Sequence, residues 1–208
     1  AIILEDDCLP AQPFFKFCQE MLELYKNDTR IMMVSGDNYN EKLKRNDDSY
    51  FFSKYGHIWG WATWKRAWKL FDYDMKSWPK FRDGNYMQYV FRNKKELNYF
   101  TNYFESFYNN PQKTTWDVQW FFTRISNYGL SVVPNSNLVS NIGTKGEHTS
   151  SRTKSHFRFV NNNFTIKQHP DFIICNEWYD FYHFKNHIYT NIFLKIKRKI
   201  KKMIERLI

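Results

Sequence analysis

No apolar run in the 208 residues approaches the roughly 18 to 20 that a membrane-crossing helix needs. A transmembrane chain is therefore not expected. Ala1 opens no basic stretch with an apolar core and a small-residue cleavage site, so a secreted chain is not expected either. Cysteine is scarce: Cys8, Cys18 and Cys175 are odd in number and lack any CxxC spacing, which argues against a disulfide framework or a zinc ribbon. A reducing cytoplasm suits them. Neither a Walker loop nor GxGxxG occurs, which leaves kinase, ATPase and dinucleotide readings without an anchor. Internal repeats are lacking too.

Hydrophobic residues make up 42% and charged residues 25%, close to globular averages, and the mean hydropathy is -0.70. One domain with one sizeable core is expected. The excess is aromatic: 8 Trp, 14 Tyr and 20 Phe make 20% of the chain, more than one core of this size readily buries. Some rings should line a cleft or contact surface, unless an A/T-rich coding bias toward Asn, Lys, Tyr, Phe and Ile accounts for the surplus.

The net charge is +10, but +6 of it lies in residues 189–208, where seven Lys/Arg face a single Glu205. The pI of about 9.4 therefore describes an appendage, and nucleic acid is not an expected partner. Ile192, Ile196, Ile200, Met203, Ile204 and Leu207 recur at spacings of three and four, opposite those cations. The spacing predicts a basic amphipathic helix that lies on an anionic membrane surface through residues 190–208, or docks on the domain with its basic face in water. The expected organisation is a domain over 1–188 and this helix over 189–208.

Along the chain, Ala1 to Leu4 reads as a buried strand and Pro13 to Lys26 as a helix with Phe15, Cys18, Leu22 and Tyr25 inward. Ile31 to Ser35 is a second strand and 40–50 a polar surface loop. Two glycines among the rings of Tyr55 to Trp64 predict close backbone approach and exposed rings. Helices are expected through Arg66 to Leu70, over 75–90, over 93–108 and from Thr114 to about Tyr128. Leu130 to Val133 is a strand, and 135–163 a long loop that orders around a ligand. Strand, helix, strand implies α/β. A sheet that opens on its first residues lacks neighbours to cover that strand, so the chain is expected to be a fragment.

Glu5, Asp6 and Asp7 follow a strand, where open α/β sheets bind ligands. Their mutual repulsion is relieved by a hard cation such as Mg²⁺ or Mn²⁺, or by solvation of an ordinary acidic turn. Asp37 holds the same position after the second strand. Asp117, between Trp116 and Trp120, reads as a general base in a dry pocket, or as part of a Thr114-x-x-Asp117 capping box. His148, in a glycine-containing loop with Lys145, reads as a metal or diphosphate ligand, or as an exposed loop histidine.

Taken in order, ILEDD, SGDNY, GHIWGWATWKRAW, TTWDVQW and VVPNSNLVSNIGTKGEHT resemble the C-terminal two-thirds of a GT-A glycosyltransferase, over roughly residues 1–150. The pattern is most similar to the inverting N-acetylglucosaminyltransferase I type and to bacterial nucleotide-diphospho-sugar transferases. The resemblance implies a Rossmann-like α/β domain without the family's N-terminal βαβ units. It implies an enzyme that moves a hexosyl or N-acetylhexosaminyl group from a nucleotide-diphosphate donor, typically a UDP-sugar, to a glycan or lipid-linked hydroxyl. Surface polysaccharide or glycoconjugate synthesis is the implied setting. Asp7 would hold Mn²⁺ or Mg²⁺, with His148 as a second ligand. Glu5, Asp6, Gly60, Trp61, Gly143 and Lys145 would contact the donor, Trp59, Trp116 and Trp120 the acceptor, and Asp117 would be the catalytic base. The expected location is cytoplasmic, peripheral at the inner face of the cell membrane. The competing class is a non-catalytic carbohydrate- or membrane-surface-binding module, which would bind sugar without metal.

Overall fold

The computed structural model describes residues 1–43, 46–110, 115–143 and 157–189. Its elements run β1 (Ile2–Ile3), β2 (Cys8–Pro10), α1 (Gln12–Leu24), β3 (Ile31–Ser35), β4 (Tyr50–Ser53), β5 (Trp61–Ala62), α2 (Lys65–Trp68) and α3 (Trp78–Asp83). They continue through α4 (Met87–Val90), α5 (Lys94–Tyr108), α6 (Asp117–Ser126), β6 (Leu130–Pro134), β7 (Val139–Asn141) and α7 (Glu177–His183), which runs into a π-helical turn, Phe184–Ile188. The expected α/β class holds at this level. The basic helix expected over residues 189–208 lies outside the described residues from 190 onward.

Five strands form one mixed sheet in the order β1-β5-β3-β6-β4. The β3 and β6 strands are parallel, while β5 is antiparallel to both β1 and β3. It follows that β1, β3 and β6 all point the same way and deliver their C-terminal ends to one margin of the sheet. A separate ribbon at that margin pairs β2 with β7, Cys8 opposite Asn141 and Pro10 opposite Val139.

The apolar face of α1 packs Phe14, Phe17, Cys18 and Met21 against Ile31, Val34 and Val132 of the sheet. Each such side chain contributes about 1.5–3 kcal/mol on leaving water. On the other side, Trp78, Phe100, Phe104, Phe122 and Phe184 form a helical core. Its rings meet mostly edge-on or tilted, as in Trp78 on Phe122 at 5.5 Å. Much of the aromatic surplus is therefore core.

Several expectations need correction. The opening segment is a two-residue strand at the edge of the described sheet, with Ile2 and Leu4 38% and 37% exposed, so it is not a buried strand. In α1 Cys18 and Tyr25 are buried and Leu22 packs on the core as expected, but Phe15 is 40% exposed and Phe14 is buried in its place. The 75–90 helix is two short ones, because Asn85 adopts φ 58° between α3 and α4. The 40–50 loop ends in β4, whose Tyr50 is buried against Tyr25. The 135–163 loop contains β7, whose residues are all buried. Among the described residues, no helix is long and apolar enough to cross a membrane.

Candidate functional site

The chain leaves β1 through a tight turn in which Cys8 N donates to Glu5 O at 3.1 Å. That turn gathers one ligand atom each from Glu5, Asp7 and Cys8 within 4.8 Å of one another. Asp6 is exposed and outside the set. Burial, followed by the charges of Asp7, Asp117 and Asp6, raises the Glu5 pKa. Burial also pushes the Cys8 thiol up to about 12. The three donors are thus two carboxylate oxygens and one sulfur. Carboxylate oxygens are donors that a hard cation can use, and the set by itself does not identify the ion.

Distant segments close on this turn. Ile142 N donates to Asp7 O at 2.9 Å, and Gly143 follows so tightly that a β-carbon there would overlap Asp7 Oδ2. Gly60 has φ +135°, and its carbonyl accepts from Gly36 N at 2.8 Å. A β-carbon at Gly60 would lie 2.7 Å from Val139 Cγ2, so the close approach expected of this glycine is present.

The expected exposure of the neighbouring rings is not. Trp61 is only 2% exposed and Trp120 1%, and with Trp116 they form one indole cluster, Trp61 on Trp116 at 5.4 Å and on Trp120 at 5.8 Å. Trp61 therefore offers no open floor and Trp120 no open sugar platform, because each indole is covered by others. Trp116 remains half-buried beside a 660 Å³ cavity that Glu5 and Trp61 also line. Trp59 is half-buried, 5.9 Å from the Tyr39 ring.

Asp117 is the first residue of α6 and lines a second cavity of 230 Å³ with His57, Arg124 and His183. Its charge contributes to the raised pKa of Glu5. No side chain caps α6 at Trp116. Thr114, the other half of the capping box, lies outside the described residues, as do Lys145 and His148.

Asp37, carried past the end of β3, is fully buried, and neither carboxylate oxygen has a partner among the described residues. Burial raises its pKa to about 8, against the pull of Arg158 and with a further push from Glu5. Arg158 lies over the Tyr39 ring at 3.6 Å, and Tyr39 in turn packs on His57 at 3.9 Å. Burial pushes His57 well below the usual histidine range and His183 down to about 3, so both are neutral at pH 7.

Sequence reasoning did not single out Arg124, His183, Tyr39 or Arg158. For Arg124 a signal existed, since Asp117, Trp120, Phe121 and Arg124 recur at helical spacing on one face of α6. For the others, contacts spanning more than 100 residues, such as Asn40 Nδ2 to His183 Nδ1 at 3.3 Å, left no local pattern.

The fold and site thus define an α/β chain with a carboxylate cluster outside the C-terminal ends of parallel-running strands. No protein-family model matches the chain, and no curated protein matches it.

Proposed function

We propose that this chain is a metal-dependent glycosyltransferase of the GT-A type, acting on a nucleotide-diphospho-sugar and a hydroxyl acceptor. The observation that carries the reading is the packing of Gly143 on Asp7 beside Glu5, beyond the ends of β1, β3 and β6, with the charge of Asp117 acting on Glu5 from the start of α6. Open α/β sheets bind ligands at that margin.

Glu5 and Asp7 would hold Mn²⁺ or Mg²⁺, which when bound supplies positive charge against the diphosphate. In the transfer, the acceptor oxygen bonds to the anomeric carbon as the bond from that carbon to the diphosphate oxygen breaks. The diphosphate leaves with the electron pair, and the hydroxyl proton passes to the Asp117 carboxylate. Attack opposite the leaving group gives inversion. Gly60 and Gly143 let the backbone come close at the two sides of the acidic turn. The basic stretch 190–208 would hold the enzyme where lipid-linked acceptors reside, and a chain cut after Tyr189 should then no longer sediment with anionic vesicles.

The test is release of UDP from a panel of UDP-sugars by the 208-residue chain with Mn²⁺. We expect release from at least one donor and a loss of about 10²–10⁴-fold in Asp117→Asn. Release that Asp117→Asn leaves unchanged would overturn the base, and no release from any donor would overturn the reading.

A further inference from the structure

We propose that the exposed aromatic face of α7, formed by Trp178, Phe181 and Tyr182, sits in the headgroup layer of an anionic bilayer, next to the basic stretch 190–208. This rests on the membrane placement of residues 190–208 in the reading above, and adds to it a contact made by rings and not by charge.

The helix has two unlike faces. Tyr179, Asp180 and His183 are buried. Tyr179 packs on Phe51 at 4.5 Å, and Asp180 accepts from Ser53 Oγ and Lys54 N, so α7 is fixed to β4. On the other face, at spacings of three and four, Trp178, Phe181 and Tyr182 are 44%, 47% and 38% exposed. Trp178 and Tyr182 stack on one another at 6.0 Å, so the two rings stand together at the surface. Phe172 and Ile174, just before the helix, are exposed as well, and Asn176 N ties this stretch to Phe52 O at 2.7 Å. Single exposed apolar side chains are ordinary, but five between residues 172 and 182, on a segment held in place, mark a contact surface.

Ring chemistry and charge choose the partner. Trp and Tyr have an apolar body and a polar tip, and for that reason gather where a membrane meets water. Positions 178, 181, 182 and 185 hold no acid, and Lys185, in the π-helical turn, is exposed. The exposed acids of the segment are Asp171 and Glu177, and Glu177 faces Arg92 at 3.9 Å. From residue 190 the chain continues into seven Lys/Arg against one Glu, a charge that anionic headgroups balance. Buried apolar area and attraction to anionic lipid add in such binding, and here α7 supplies the first and the basic stretch much of the second.

Sedimentation of the 208-residue chain with vesicles tests this, using phosphatidylcholine alone and phosphatidylcholine with roughly a third phosphatidylglycerol. The chain should bind the anionic vesicles and bind the neutral ones more weakly. Trp178→Ser, Phe181→Ser and Tyr182→Ser combined should weaken binding to the anionic vesicles about tenfold or more, with an unchanged melting temperature, and Trp178→Ser alone about threefold. Phe15→Ser, which removes a comparably exposed ring on α1, should leave binding as it is. Binding unaltered in the triple variant, or lost equally in Phe15→Ser, would overturn the α7 face and leave the placement of 190–208 standing. Binding unaltered in a chain cut after Tyr189 would overturn that placement and leave the face. No binding of the wild type to anionic vesicles would overturn both. A wild-type dimer that the triple variant converts to a monomer would overturn lipid as the partner and give the face to a second copy of the chain. UDP release reads the transferase chemistry separately from all of these.

Discussion

Gly143 is packed against the carboxylate of Asp7, so closely that no side chain fits between them. The contact joins residues 136 positions apart, and Gly143 N is held in place by Asn141 Oδ1 at 2.9 Å. Gly143→Ala must therefore displace Asp7. We expect about tenfold weaker Mn²⁺-supported UDP binding with an unchanged circular dichroism spectrum. Unchanged affinity would show that Asp7 tolerates the shift and does not hold the cation.

Asp37 makes stability depend on pH. Its pKa rises from an unfolded value near 3.8 to about 8 when folded, so the folded state binds the proton more tightly. The contribution is full below pH 3.8 and is lost as pH rises toward 8. Asp37→Asn removes this dependence. Its melting temperature relative to wild type should climb between pH 4 and 8, and a constant difference would contradict the buried, unpaired carboxylate.

Gly60 carries the Gly-Trp segment past Val139 at a φ that L side chains rarely adopt. Gly60→Ala adds both backbone strain and a 2.7 Å contact with Val139 Cγ2. A cost of about 1–3 kcal/mol follows from the strain alone. For a chain of this size that lowers the melting temperature by ~5 °C. An unchanged melting temperature would contradict the close approach.

What was legible in the sequence was local. Ile31–Ser35 reads as a buried strand because five residues in a row are apolar or small, and α5 reads as a helix from Leu97, Phe100 and Phe104. Glu5, Asp7 and Asp117 stood out because carboxylates after a strand or among indoles are chemically unusual. At one position of α1 Phe14 is buried and Phe15 is not, because the two are equally apolar and only the sheet beneath decides between them. Trp61 and Trp120 looked exposed because their number exceeded what one core takes, whereas they bury one another. The Tyr39, His57 and His183 cluster depends on tertiary contacts alone and has no sequence period.

The most direct test of the central claim is a calorimetric titration of UDP into the 208-residue chain, with and without Mn²⁺, for wild type and Asp7→Asn. The account predicts that Mn²⁺ strengthens binding to the wild type and that Asp7→Asn removes the enhancement. Equal UDP binding with and without Mn²⁺ in the wild type would contradict it.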